Sequence, residues 1–185
     1  MSQSRPFYYE LTVPLFTHGL GALSGVLAKG TAHAADRGVD PRVFLEGRLA
    51  PDMFPLVRQV QIATDQAKGG AARLAGLEPP RFEDTEASFP ELEDRIRRTV
   101  AFLEELDPGA FAAAEARTIR LPQRDRTVEL PALPYLQGYV LPNFFFHTTT
   151  AYAILRHLGV GIGKMDFLGL DRTESLARGL PRPRS

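Results

Sequence analysis

The chain has 185 residues, with 22 basic and 22 acidic side chains, four histidines, no cysteine and no tryptophan. Its 44% hydrophobic content is enough for one buried core in a single domain. A formal net charge of zero argues against a nucleic-acid-binding protein, and the lack of cysteine excludes disulfides, thiolate metal sites and thiol nucleophiles.

The first predicted helix covers residues 13–37 and ends at Gly38, a residue type favoured just after a helix. The same helical spacing that aligns its apolar side chains points His18 away from them, toward solvent. The apolar face consists of Phe16, Leu20, Leu23, Leu27 and Ala34. Three interior glycines either weaken this helix or mark a close approach to another helix: Gly19, Gly21 and Gly25.

The second long helix is predicted to begin at Asp52, an acidic N-cap, and to end at Gly76. A loop with a short helical turn, over residues 40–50, separates it from the first helix. The apolar positions of the second helix repeat with helical period and predict a core-facing surface: Met53, Leu56, Val57, Val60, Ala63, Ala67, Ala71 and Leu74.

A polar linker precedes the third helix, which begins at a capping box formed by Ser88 and Glu91. The sequence Asp107-Pro108-Gly109 ends this helix. Two alternating runs, residues 118–121 and 127–130, then predict a small β-hairpin.

The fourth helix is predicted from Pro134 to Leu158, with Gly159 as its stop and a kink at Pro142. It is apolar nearly all round, so we expect its neighbours or a second subunit to bury it. The sequence therefore predicts an all-α protein, an antiparallel four-helix bundle over residues 1–170 with a β-hairpin between its third and fourth helices. We expect residues 171–185 to form a mobile tail.

The sequence predicts neither a signal peptide nor a membrane-spanning helix. Residues 1–10 lack a basic region leading into an apolar stretch, so we expect no signal peptide. Residues 133–155 form the most apolar stretch, but two prolines, Asn143 and His147 interrupt it, which predicts a buried helix and no membrane contact. We therefore expect a cytoplasmic protein.

Polar residues of the second and fourth helices form the candidate site. His147 is the only one of the four histidines that lies in the middle of the most buried predicted helix, and Asn143 precedes it by one turn. Gln61, Asp65 and Lys68 form a polar stripe on the second helix. If these two helices pack together, Asp65 or Gln61 meets Asn143 and His147, as in ligand sites between facing helices of a bundle.

A purely structural interpretation is open for each of these residues. A single histidine in an apolar helix is commonly satisfied by one hydrogen bond in the core. Asn143 can satisfy backbone groups left unpaired near Pro142, and Asp65 can form an intrahelical ion pair with Lys68 that faces solvent.

Three long runs resemble a bacterial family known only as domain of unknown function 1993, within the DinB/YfiT-like superfamily. They are RLAPDMFPLVRQVQIATDQAKG from Arg48, FEDTE from Phe82, and LPNFFFHTTTAYAILRHLG from Leu141. The resemblance extends over residues 7–169. It implies a four-helix bundle of up-down-down-up arrangement with a long connection between the second and third helices, and frequent dimerisation.

The resemblance also implies a metal position. Typical superfamily members bind a divalent metal through one histidine on the second helix and an H-x-x-x-H pair on the fourth, and some are metal-dependent transferases acting on small thiols. Here His147 matches the second histidine of that pair, Asn143 stands at the first, and the second helix offers only Gln61, Thr64 or Asp65. The implied site is an altered one, with His147, Asn143 and Asp65 around Zn, Ni or Mn.

Two functions are compatible with these features. One is a metal-dependent, thiol-transferase-like enzyme acting on a small molecule at the altered site. The other is a non-catalytic homodimeric module that binds a small ligand or a protein. Neither hypothesis involves nucleic acid.

Overall fold

The computed structural model describes residues 5–122 and 125–170. Four long helices, α2, α4, α5 and α7, form the predicted bundle, and a two-stranded hairpin connects α5 to α6. The α-helices and β-strands in these residues are α1 (Phe7–Glu10), α2 (Val13–Arg37), α3 (Arg42–Leu45), α4 (Leu56–Ala75), α5 (Phe89–Glu104), β1 (Thr118–Pro122), β2 (Thr127–Pro131), α6 (Ala132–Tyr135), α7 (Leu141–His157) and α8 (Lys164–Leu168).

Close contacts at glycines show that α2 and α7 run parallel. A Cβ on Gly19 would lie 2.9 Å from two ring carbons of Phe144, and a Cβ on Gly30 would lie 3.1 Å from Leu155. Both partners therefore advance in the same direction along their helices. Gly30 also lies beside Phe89, so α5 begins where α2 ends and runs back along it.

Helices α4 and α7 are antiparallel neighbours. Gln59, early in α4, contacts His147, whereas Gly70, near the end of α4, packs against Val140, which precedes α7. A Cβ on Gly70 would lie only 2.4 Å from a Val140 methyl group, so this crossing requires glycine. The result is the up-down-down-up bundle that the resemblance implies. Residues 76–88, between α4 and α5, bring the chain back along the length of the bundle before α5 begins.

Helix α2 has the predicted bounds and packs its apolar face into the core. Gly38 follows it in the left-handed conformation (φ 62°). Phe7–Arg37 is, by length and mean hydropathy of 1.4, the helical stretch among the described residues that could cross a membrane. Phe16, Leu20 and Leu27 are fully buried in the bundle, as in the core helix of a globular domain.

Helix α4 begins later than predicted. Asp52 is exposed in a turn and does not cap the helix, which starts at Leu56 after an extended Pro55. A residue before proline is disfavoured in the α conformation, so Phe54 cannot continue a helix begun at Asp52. The predicted end is confirmed, because Gly76 follows α4 with φ 79°.

Pro142 disturbs the fourth helix without interrupting it. Residues 136–140 form a π-helical segment (Leu136–Val140) that leads directly into α7, in which Pro142 occupies the first turn. Proline lacks the N–H that the Gly138 carbonyl would receive in an α-helix, and a wider turn accommodates this loss. Gly159 follows the helix with φ 90°, as predicted. The predicted mobile tail, residues 171–185, lies outside the described residues.

Candidate functional site

His147 is buried between α4 and α7 and is oriented by one hydrogen bond. Its imidazole Nδ1 lies 2.7 Å from Oε1 of Gln59, and the Gln59 amide nitrogen donates to the Phe54 carbonyl at 2.9 Å. The Gln59 oxygen can only accept, so Nδ1 carries the proton in the neutral ring. Burial, together with the nearby Arg58 guanidinium, lowers the pKa of His147.

This arrangement leaves Nε2 of His147 unprotonated, with a lone pair that can accept a hydrogen bond. Among the described residues, no hydrogen-bond partner contacts Nε2, while Nδ1–H is held by Gln59. A histidine whose second nitrogen is fixed in this way can accept a proton or bind a metal through Nε2. The ring edge also lies against Phe146, with centroids 5.2 Å apart.

Asn143 serves the backbone near Pro142. Its side-chain amide donates to the Tyr139 carbonyl at 2.7 Å, within the irregular turn that precedes α7. This is the structural alternative that the sequence leaves open for Asn143. Although Asn143 lies one turn before His147, the structure shows no hydrogen bond between the two described side chains.

Asp65 belongs to a different cluster from His147. Its carboxylate oxygen lies 2.8 Å from the guanidinium of Arg95 on α5 and 2.7 Å from the ammonium of Lys68. The predicted Asp65–Lys68 pair is present, but only its Asp65 end reaches solvent, because the Lys68 side chain is 8% exposed and that of Asp65 is 36% exposed. The expectation that Asp65 or Gln61 meets His147 is wrong, because Gln59 occupies that position.

The phase of α4 explains this difference. Asp65 is six residues beyond Gln59, which places it about 120° around the helix and about 9 Å along it. The face toward the fourth helix contains Gln59 and Gly70. Gln61 and Asp65 instead contact the linker and α5. Gln61 accordingly donates to Glu86 at 2.9 Å.

Arg95 is the centre of that second cluster, which sequence reasoning missed. Its side chain is fully buried and bonds Thr64 Oγ1 at 2.8 Å, the Glu83 carbonyl at 2.9 Å and the Glu86 carboxylate at 3.0 Å. It also contacts Asp65 and, at 3.0 Å, Asp84. The sequence feature that could have identified this cluster is the spacing of Arg95 on α5. It lies three residues after Leu92 and four before Thr99, which are both fully buried, so it shares their core-facing side of the helix.

Residues 82–86, in the linker between α4 and α5, cover the Arg95 cluster. The ring of Phe82 lies over three cationic groups, with 4.6 Å from its centroid to Arg98, 5.0 Å to Lys68 and 5.7 Å to Arg95. Residues 82–86, FEDTE, thus supply both the carboxylates and the aromatic cover for a buried cation. The cluster attaches the long connection to α4 and α5, which is a structural role.

A cavity of about 360 Å³ lies between α2, α7 and α8. Its wall is mainly apolar and aromatic, and four lining side chains carry polar groups, namely Glu10, His18, Thr148 and Tyr152. We call it the α2–α7 cavity. Its lining residues are Glu10, Pro14, Leu15, His18, Gly19, Leu23, Val26, Phe144, Phe145, Thr148, Tyr152, Phe167 and Leu168.

Helix α8 covers one side of the α2–α7 cavity and explains the position of His18. Nε2 of His18 lies 2.8 Å from the Leu168 carbonyl, so this side chain is half-buried by α8 although it points away from the bundle core. Lys29 forms an ion pair with Asp166, and the ring of Phe167 packs edge-on against Tyr152 at 5.7 Å. Sequence periodicity within α2 carried no signal for this cover.

Comparison with known proteins identifies the family. A model of the domain of unknown function DUF1993 matches residues 8–168. The chain belongs to the DUF1993 family. It is similar to the crystal structure of a DinB family member protein from Shewanella denitrificans, with 42% sequence identity and a TM-score of 0.80 over 87% of this chain and 91% of that chain. A search of curated proteins finds no match.

The donor set of this DUF1993 chain does not fit the three-ligand metal site that the resemblance implies. Among the described residues, no group of three or more histidine, cysteine, aspartate or glutamate side chains is placed to hold an ion. His147 offers one nitrogen, the Asn143 amide is turned to a carbonyl, and two cations neutralise Asp65. One imidazole with neutral amides is a weak donor set for Zn, Ni or Mn.

Proposed function

We propose that this DUF1993 protein binds a small, largely apolar molecule in the α2–α7 cavity. The observation that carries this proposal is the cavity itself. Its volume of about 360 Å³ lies within the range of small-molecule sites, roughly 300–1,000 Å³. An apolar wall with a few polar groups is the usual composition of such a site.

The construction of the cavity supports binding over catalysis. Phe144 and Leu23 are buried in the core, so the inner wall is rigid, whereas the outer wall consists of the short helix α8. Helix α8 is held against α2 by the Lys29–Asp166 ion pair and by the hydrogen bond between His18 and the Leu168 carbonyl. His147, the residue with a free imidazole nitrogen, does not line the cavity.

A fluorescent apolar probe tests this proposal. N-phenyl-1-naphthylamine should bind the purified protein with a saturable increase in fluorescence and a stoichiometry of one per chain. Leu15→Trp adds an indole at the cavity wall, where Leu15 is half-buried, and should abolish the saturable signal. Leu77→Trp is the matched control, because Leu77 is 48% exposed and does not line the cavity.

Two results would contradict the binding proposal. One is the absence of any saturable signal in the wild-type protein. The other is an equal signal in Leu15→Trp, provided that circular dichroism shows the variant to be folded. A retained signal would place the probe elsewhere on the surface.

The oriented imidazole favours a second candidate, the altered metal-dependent site at His147. Its supporting observation is the free Nε2, fixed by the Gln59 hydrogen bond. Protein produced with added Zn, Ni and Mn would then carry one ion per chain by elemental analysis, and His147→Ala would lose it. Metal-free wild-type protein under the same conditions would refute this candidate.

A further inference from the structure

Among the polar groups of the α2–α7 cavity, the Tyr152 hydroxyl can donate or accept a hydrogen bond, whereas Glu10, Thr148 and His18 offer lone pairs. Thr148 uses its hydroxyl hydrogen on the Phe144 carbonyl at 3.0 Å, so toward the cavity it can only accept. Nε2 of His18 bonds the Leu168 carbonyl and therefore carries a proton, which leaves Nδ1 of the neutral ring as an acceptor. A molecule that satisfies these groups must donate hydrogen bonds.

Glu10 adds a negative charge at the rim. Its side chain is 45% exposed, and the nearest cation, Arg5, is an ion-pair partner at 3.7 Å. That separation is longer than a hydrogen bond, so the Glu10 oxygens keep their capacity to accept one. No lysine or arginine is among the described residues that line the cavity.

Aromatic rings complete a cation-binding environment next to this carboxylate. Phe144, Phe145, Tyr152 and Phe167 contribute ring surfaces to the cavity wall. Ring faces attract ammonium groups and accept hydrophobic bodies equally well. Because acceptors, a carboxylate and aromatic faces occur together, the cavity is suited to a molecule with an apolar body and a cationic, hydrogen-bond-donating end.

We infer that the occupant of the α2–α7 cavity is a hydrophobic amine, with its ammonium group at the Glu10 end of the cavity and its apolar body against Leu23 and Val26. This assignment rests on the proposed binding function and specifies its ligand class. A hydrophobic carboxylic acid is disfavoured because the Glu10 carboxylate would repel it, although the Tyr152 hydroxyl could donate a hydrogen bond to it.

Three compounds with the same apolar body separate the end-group preference from simple hydrophobic binding. We would displace N-phenyl-1-naphthylamine with 4-phenylbutylamine, 4-phenylbutan-1-ol and 4-phenylbutanoate. The expected order of affinity is amine, then alcohol, then carboxylate. A partly exposed charge gives modest energies, so we expect about a tenfold difference between amine and carboxylate at low ionic strength, decreasing with salt.

Two variants assign the preference to the named atoms. Glu10→Gln should bring the affinities of amine and carboxylate together, because it removes the negative charge at the rim. Glu104→Gln, which removes an exposed carboxylate of α5 outside the cavity, should keep the wild-type order. Thr148→Val should weaken binding of the amine and the alcohol more than binding of the carboxylate, because it removes an acceptor from the cavity wall.

The outcomes distinguish the two proposals. Equal displacement by all three compounds, or a preference for the carboxylate, would overturn the amine assignment and leave the binding proposal in place. An amine preference that survives Glu10→Gln would also overturn the assignment. If the fluorescent probe itself shows no saturable binding, both proposals fail.

Discussion

Replacing Arg95 by methionine should destabilise the protein by about 3–5 kcal/mol, the usual result of removing one partner of a buried ion pair. Methionine follows the arginine side chain as far as Nε, so the variant keeps the aliphatic packing and removes the guanidinium with its charge and hydrogen bonds. Arg95 is suited to this test because its side chain is fully buried.

The magnitude follows from which partners can regain water. Asp65 and Asp84 are 36% and 37% exposed, so their carboxylates rehydrate when Arg95 is removed and contribute little to the loss. Glu86 is only 5% exposed, and its remaining contacts are Gln61 and a distant Arg98 at 4.0 Å. An unpaired buried carboxylate therefore dominates the cost.

Urea unfolding of wild type, Arg95→Met and Arg97→Met measures this effect. Arg97 is the matched control on the same helix, with a side chain 73% exposed, and its replacement should change stability by no more than about 0.5 kcal/mol. The melting temperature of Arg95→Met should fall by roughly 6–20 °C, at about 2–4 °C per kcal/mol for a chain of this size.

A double variant identifies the source of the loss. Arg95→Met with Glu86→Gln removes the stranded charge and should be more stable than Arg95→Met alone. A loss below about 1 kcal/mol in Arg95→Met would refute the reasoning. So would a double variant whose two effects simply add, because residues in one ion-pair network are expected to couple.

Three further predictions concern the pH response, the helix crossing and the assembly. Folding lowers the pKa of His147, so the unfolded chain binds a proton at higher pH than the folded chain, and the free energy of unfolding should fall as pH decreases through about 6.5. In urea titrations, His147→Gln should flatten that decline, and a steeper decline in the variant would contradict this prediction. Gly70→Ala should lower the free energy of unfolding by about 1–3 kcal/mol through overpacking. Gly25→Ala, with no atom within 4 Å of its new Cβ, should raise it by up to about 1 kcal/mol, and equal urea midpoints of the two variants would refute the close-approach argument. We expect a homodimer because Phe146 on α7 is 56% exposed, so light scattering should give twice the chain mass of 20.4 kDa. A monomer mass would count against it.

Local sequence signals predicted most of the helices. Apolar spacing within α2 and the glycines that follow α2 and α4 depend only on neighbouring residues, and the structure confirms these boundaries. The error at Asp52 arose because a favourable N-cap type was weighed above the steric effect of Pro55 on the residue before it. The β-hairpin was likewise readable from two short alternating runs.

The candidate site was predictable only in part. Burial of His147 followed from the apolar helix around it, and the backbone role of Asn143 followed from its position next to Pro142. The partner of His147 did not follow, because the periodicity of α4 gives the relative phase of its residues but not which face meets α7. Only packing decided that Gln59 faces α7 and Asp65 faces Arg95.

By itself the sequence determined the long helices, the zero net charge, the absence of thiol chemistry and the one histidine in the middle of the buried helix. These properties depend on residue type and on spacing along one chain segment. Tertiary structure decided the Arg95 cluster and the α2–α7 cavity, since both are formed by side chains that are distant in sequence. Each needs the relative position of separate helices, and that position depends on close contacts such as those at Gly19 and Gly70.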